Sequence, residues 1–155
     1  VFWLRKSAEQ GLAAAQFFFA RLYSRGEGVT KDFKETFRWY RKAAKQKHVK
    51  AQHFVGMMYQ FGIGVAKDHK EAVQWLRKAA EQGKANSPAQ LCSIHVKSQD
   101  LARDALQGYM WCHIAVAYGT ADAKNERKII ADRMTAGQVA EGQELAREWL
   151  AKHRK

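Results

Sequence analysis

Cys92, His95, Cys112 and His113 are the residues of this chain whose types and spacing come nearest to a metal site. Cys92-x-x-His95 places a thiol and an imidazole on one helical face, and zinc accepts both ligands. Cys112 and His113 serve such a site badly, because adjacent positions on a helix point about 100° apart. Two glycine pairs, Gly26-Glu27-Gly28 and Gly62-Ile63-Gly64, offer the backbone freedom of a phosphate loop. A dinucleotide loop needs a preceding strand and a third glycine in phase, and this sequence supplies neither. Ser-x-x-Lys, His-Glu-x-x-His and Gly-x-Ser-x-Gly are all absent. No nucleophile or metal-bound water therefore has a recognisable setting. The chain is expected to be non-catalytic and to hold neither metal nor cofactor.

The elements that position these residues are repeats. Trp3, Trp39, Trp75 and Trp111 recur at intervals of 36 residues. Lys42-Ala43-Ala44 returns as Lys78-Ala79-Ala80, Ala15-Gln16 as Ala51-Gln52, and Gly26-x-Gly28-Val29 as Gly62-x-Gly64-Val65. A fixed period of this size marks an array in which each unit buries its apolar face against its neighbours. In the clearest copy, Ala51, Val55, Met58 and Tyr59 form one helical stripe. Gly62 and Gly64 break that helix, Asp68 with Glu71 caps the next one, and Ala72, Trp75, Leu76, Ala79 and Ala80 give its stripe. Asp32 with Glu35 and Asp104 with Gln107 repeat the capping pair, and Ser87-Pro88 is a further helix start.

The spacing predicts a single repeat domain over 1–155. It comprises a partial repeat at 1–11, repeats at 12–47 and 48–83, a degenerate repeat at 84–119, and a helical cap at 120–155. The degenerate copy has Ser98 and Asp100 where the turn glycines stood, and His95 in the place of Tyr23 and Tyr59. In the cap, a helix over 122–134 carries Ile129, Ile130 and Met134, and Thr135 with Gln138 opens a last helix. The copy around Trp3 lacks its first half, so the chain is expected to be a fragment. Its open edge is then a candidate surface for self-association, and any signal peptide would be invisible.

These columns also weigh the cysteines. Cys92 stands where Ala20 and Gly56 stand, and Cys112 where Tyr40 and Leu76 stand. Two buried free thiols are the expected state, with a Cys92–Cys112 disulfide as the alternative in an oxidising compartment.

The 155 residues carry 27 Lys and Arg against 15 Asp and Glu, a net charge of +12. That balance attracts acidic partners or polyanions. No apolar run approaches the roughly 20 residues that span a bilayer. Two surfaces compete for a partner. By helical phase, Phe17, Arg21, Ser24 and Arg25, with His53, Met57, Gln60 and Phe61, line a groove made by the first helices. Against that stands the packing of Phe17 and Phe61 between neighbouring helices. The rival surface is a ladder on the second helices, Arg41, Lys42, Arg77 and Lys78, continuing Arg5 and Lys6 and joined by Arg38, Lys45, Lys47 and Lys50. It suits nucleic acid or an anionic glycan, but no base-stacking aromatics accompany it, and a solvated outer face explains it better.

The Ala-Gln opening, Gly-x-Gly-Val, Asp, Trp, Lys-Ala-Ala and Gln-Gly order resembles the SEL-one-like repeat family, relatives of the tetratricopeptide repeats. Residues 12–83 carry the pattern almost completely. The tail from Tyr109-Met110-Trp111 to Glu148-Trp149 resembles the closing segment of bacterial members. The resemblance implies an all-α, right-handed superhelical solenoid of antiparallel helix pairs with a C-terminal capping pair. It also implies adaptor or scaffold work on protein partners, often at the bacterial periplasm or envelope or in secreted factors. The family shares no catalytic residues, so none is carried over.

Overall fold

Every element predicted by the 36-residue period forms as a helix. A computed structural model describes residues 1–97 and 101–153, except the side chains of residues 101–103. Its helices are α1 (Phe2–Glu9), α2 (Ala13–Arg25), α3 (Phe33–Lys45), α4 (Val49–Phe61), α5 (His69–Glu81), α6 (Ser87–Lys97), α7 (Leu101–Ala117), α8 (Ala123–Ala131) and α9 (Ala136–His153). No strand occurs among the described residues. The chain forms two compact units, Val1–Ala79 and Ala80–Lys155.

In the first unit the repeat chemistry is visible bond by bond. α2 and α4 both end at a left-handed glycine, Gly26 at φ 72° and Gly62 at φ 67°, where any other residue would strain the backbone. The chain then returns so that Asp32 N donates to Tyr23 O at 3.1 Å and Asp68 N to Tyr59 O at 3.0 Å. Asp32 caps α3, accepting from Lys34 N at 2.9 Å and Glu35 N at 3.2 Å, and Asp68 accepts from Glu71 N at 3.1 Å. Glu35 does not complete the box. Its carboxylate accepts from Arg38 Nη2 at 2.7 Å and Trp39 Nε1 at 3.1 Å instead. The repeated glutamine joins successive copies. Gln16 Nε2 donates to Ala8 O and Gln52 Nε2 to Ala44 O, both at 3.2 Å. Each of these bonds ties the end of one second helix to the following first helix.

The core of this unit is built from Phe19, Ala20, Trp39, Tyr40, Ala43, Ala44, Ala51, Val55, Met58 and Trp75. The Phe19 and Trp39 rings meet edge-on at 5.0 Å, and full burial of such a side chain stabilises by roughly 1.5–3 kcal/mol. Gly56 is small because α5 lies on it: a Cβ there would sit 2.6 Å from Leu76 Cγ.

The second unit is less regular, as its degenerate sequence predicts. α6 has 11 residues and α7 has 17, against 13 in α2, α3 and α4. α7 packs against α6, α8 and α9. Trp111, in the tryptophan column, is buried and meets Trp149 of α9 edge-on at 5.5 Å. Asp104 lies in the first turn of α7 and does not cap it, because the helix begins at Leu101. Ser98 and Asp100 lie outside the described residues. The cap helix is shorter than the predicted 122–134, and Ile129 is exposed while Ile130 is buried. Thr135 and Gln138 form a reciprocal capping box, with bonds of 2.9 Å and 3.1 Å.

The cysteine expectation is corrected. Cys92 and Cys112 form a disulfide, with Cα atoms 4.6 Å apart. The reason lies in the columns. They occupy the positions of Gly56 and Leu76, where the first unit brings two helices to within one side chain of each other, and such an approach is disulfide reach.

Candidate protein-binding face

α2 and α4 present matching outer stripes. Positions 14, 18, 21 and 25 of α2 and positions 50, 54, 57 and 61 of α4 follow helical spacing and differ by one repeat period. Phe18 is 50% exposed, Phe54 39% and Phe61 50%, while Met57 is half-buried between the last two positions. The Arg21 guanidinium lies over the Phe18 ring at 5.8 Å. Phe54 stacks on Tyr40 of α3 at 5.3 Å and lies 6.2 Å from the buried Phe17 of α2, so its inner side rests on the core. Burial raises the pKa of the Tyr40 phenol, and Arg21, Arg25 and a hydrogen bond with Ser24 oppose that shift. A dry phenol thus lies within the field of both guanidiniums, beneath an aromatic surface.

Neither α2 nor α4 contains an aspartate or a glutamate. Arg25 pairs with Glu27 at 3.6 Å, both side chains being exposed. Arg21 has no carboxylate at ion-pair distance among the described residues.

The sequence-predicted residues divide between this face and the interior. Arg21, Arg25, Met57 and Phe61 lie on the face. Phe17, His53 and Gln60 do not, being 5%, 3% and 5% exposed. Phe17 is packed against Tyr40 at 5.4 Å and stacked on His48 at 4.6 Å. Those three positions were phased one residue away from the outer stripe, a rotation of about 100° that carries a side chain from surface to core. Phe18 and Phe54 were missed. Their signal is positional: each lies seven residues before Arg25 or Phe61, two turns along the same face.

The rival ladder is exposed at Arg41, Lys42, Arg77 and Lys78. Its lysine column already has a partner within the chain. Lys6, Lys42 and Lys78 lie over the rings of Trp3, Trp39 and Trp75 at 5.6, 4.3 and 4.6 Å. An open depression on α3 is lined by Phe37, Arg38, Arg41, Lys42 and Lys45. Arg38 is held by Glu35, whose pKa is lowered chiefly by that hydrogen bond.

The remaining candidates are structural. The sulfurs of Cys92 and Cys112 are bonded to each other, which leaves neither as a thiolate ligand. His95 is buried, and His113 Nδ1 lies 3.1 Å from Arg127 Nη1. Gly62 and Gly64 shape a turn: a Cβ on Gly64, at φ 69°, would collide with the Phe33 carbonyl oxygen. Among the described residues no helix is long and apolar enough to cross a membrane.

Residues 1–12, 13–48 and 49–84 match the family model described as Sel1 repeat. The chain is also similar to two solved structures. One is c5321, a protective antigen present in uropathogenic Escherichia coli strains and displaying an SLR fold. The identity is 29% and the TM-score 0.69, covering 97% of this chain and 40% of that one. The other is a Sel1 repeat protein from Oxalobacter formigenes, with 29% identity and a TM-score of 0.67, covering 92% of this chain and 60% of that one. The chain thus spans less than two thirds of either relative. A comparison with curated proteins gives no match.

Proposed function

The chain belongs to the Sel1 repeat family, and we propose that it is a non-catalytic module that holds a protein or peptide partner on the outer stripes of α2 and α4. Sel1-repeat proteins are generally protein-interaction scaffolds of the tetratricopeptide-like solenoid class. The observation that carries the reading is the exposure of Phe18, Phe54 and Phe61 in matched columns, joined by Met57 and edged by arginine. Monomeric surfaces seldom gather large apolar side chains this way without a partner, and aromatic groups beside arginine are what binding hot spots favour.

The second reading is polyanion binding along Arg41, Lys42, Arg77 and Lys78, favoured by the cation-lined depression on α3. It is the weaker one, because the lysine column lies on tryptophan rings and so has a structural explanation. The Cys92–Cys112 bond supports residence in an oxidising compartment, such as a periplasm, a cell envelope or the exterior.

Capture from native extract separates the readings. The full chain, a Phe18→Ser/Phe54→Ser/Phe61→Ser variant and an Arg41→Gln/Lys42→Gln/Arg77→Gln/Lys78→Gln variant are immobilised, with and without nuclease, and eluted by stepped salt. A discrete protein that survives nuclease, is lost with the three phenylalanines and is kept by the ladder variant supports the proposal. Loss with the ladder alone, at low salt, would transfer the function to polyanion binding.

A further inference from the structure

We infer that the partner segment is acidic and apolar at once, with carboxylates toward α2 and aliphatic or aromatic side chains toward α4. This inference rests on the binding-face reading above and gives it a chemistry. The repeat columns carry the argument. At one column the two helices present Phe18 and Phe54; at the next, Arg21 and Met57; at the third, Arg25 and Phe61. From Arg21 and Met57 onward the face is therefore divided across its width, cationic on α2 and apolar on α4; on the other side of the aromatic pair, Lys50 of α4 stands opposite Ala14.

Its charge is of one sign. Arg21, Arg25 and Lys50 are the charged residues of the two stripes, and neither helix supplies an acid to balance them. Arg21 is half-buried, rests on the Phe18 ring and has no carboxylate within reach among the described residues. A guanidinium so placed is partly desolvated, keeps its planar fork of donors and is best satisfied by a carboxylate. The Arg25–Glu27 pair is long and exposed, so an incoming carboxylate displaces it easily. The buried Tyr40 phenol and the Ser24 hydroxyl lie in the same field.

A bare phosphate chain satisfies the arginines but leaves Met57 and Phe61 uncovered. Base stacking is also limited, because Tyr40 already occupies one face of the Phe54 ring. A protein segment with mixed side chains answers both halves of the face.

The test is selection from a random dodecapeptide display library on three forms of the full chain: unaltered, Arg21→Gln/Arg25→Gln, and Phe54→Ser/Phe61→Ser. The unaltered chain is expected to enrich peptides with Asp or Glu close to Leu, Ile or Phe. The arginine variant loses the acidic preference, and a selected acidic peptide binds it about tenfold or more weakly, with a flatter salt dependence. An Arg21→Lys/Arg25→Lys form recovers part of that affinity and guards against misfolding as the cause. The phenylalanine variant loses binding altogether. Enrichment without acidic bias, or equal binding of the acidic peptide to the arginine variant, overturns this inference and leaves the binding face standing. Peptides indifferent to both phenylalanines, or no enrichment at all, overturn the two together. Displacement of the peptide by a single-stranded DNA oligonucleotide at similar concentration assigns the face to nucleic acid and overturns the acidic-peptide reading.

Discussion

Removing the Cys92–Cys112 bond should destabilise the second unit by an amount fixed largely by its position. The two cysteines are 20 residues apart in sequence. In the chain-entropy description, closing a loop of that length removes about 11 cal/mol/K from the unfolded ensemble, or about 3 kcal/mol at 25 °C. Domains are stable by only about 5–15 kcal/mol, so the loss is a large fraction of the total. For a unit of this size it corresponds to a fall in melting temperature of roughly 12–24 °C. The Cys92→Ala/Cys112→Ala chain also loses two buried sulfurs, and comparison with reduced unaltered protein isolates that packing contribution. Hydrogen exchange read by mass spectrometry assigns the change to a region: protection should fall in α6–α9 and hold in α2–α4. Both cysteines are fully buried, so thiol reagents should find nothing to label until the protein is unfolded and reduced. Two thiols titrating in unfolded, unreduced protein would refute the reasoning. So would a double-alanine chain that melts with the oxidised one.

Three further outcomes test the local arguments. Gly64→Ala must place a side chain at φ 69° against the Phe33 carbonyl; the left-handed backbone alone costs about 1 kcal/mol, and denaturant unfolding should show at least that loss. Asp32→Ala removes the acceptor for Lys34 N and Glu35 N and should cost about 1 kcal/mol in the same assay, with Asp32→Asn recovering most of it. His113 has its pKa lowered by burial first, then by Arg127 and Arg147. The folded state therefore resists its protonation, and its contribution is intact above about pH 6.5 and declines as pH falls below that value. Exchange protection of the second unit should drop as pH falls below about 6.5, and His113→Gln should flatten that slope; an unchanged slope would exclude His113 as its origin.

The sequence predicts best where a residue does a job that only its type can do. Gly26 and Gly62 are legible because a left-handed helix end requires them, and Asp32 because an N-cap needs a short acceptor. The candidate face was half legible. Phe17, Phe18 and Phe19 are consecutive, so hydrophobicity alone cannot choose which of the three faces outward; packing makes Phe18 the exposed one. The column of Arg25 and Phe61 was the better guide, since arginine rarely enters a core. Asp104 misled because the capping pattern survives in the degenerate repeat while the start of α7 has moved. The disulfide was legible as a pair of columns but not as a bond, because the oxidation state of two thiols is set by their compartment as well as their spacing.

The glutamine bonds have an evolutionary consequence. Gln16 reaches back to Ala8 and Gln52 to Ala44, each across the seam between one copy and the next. A 36-residue block copied anywhere across this stretch carries one donor and one acceptor in register with its neighbours. In-frame duplication or loss of such a block therefore leaves no severed polar group inside the protein, and array length can drift between lineages without new mutations to repair the junction. The same column holds Pro88 in the degenerate copy, a residue with no side-chain donor. A block taken from there lacks that glutamine bond at its junction, whereas the regular copies extend the array with the contact intact.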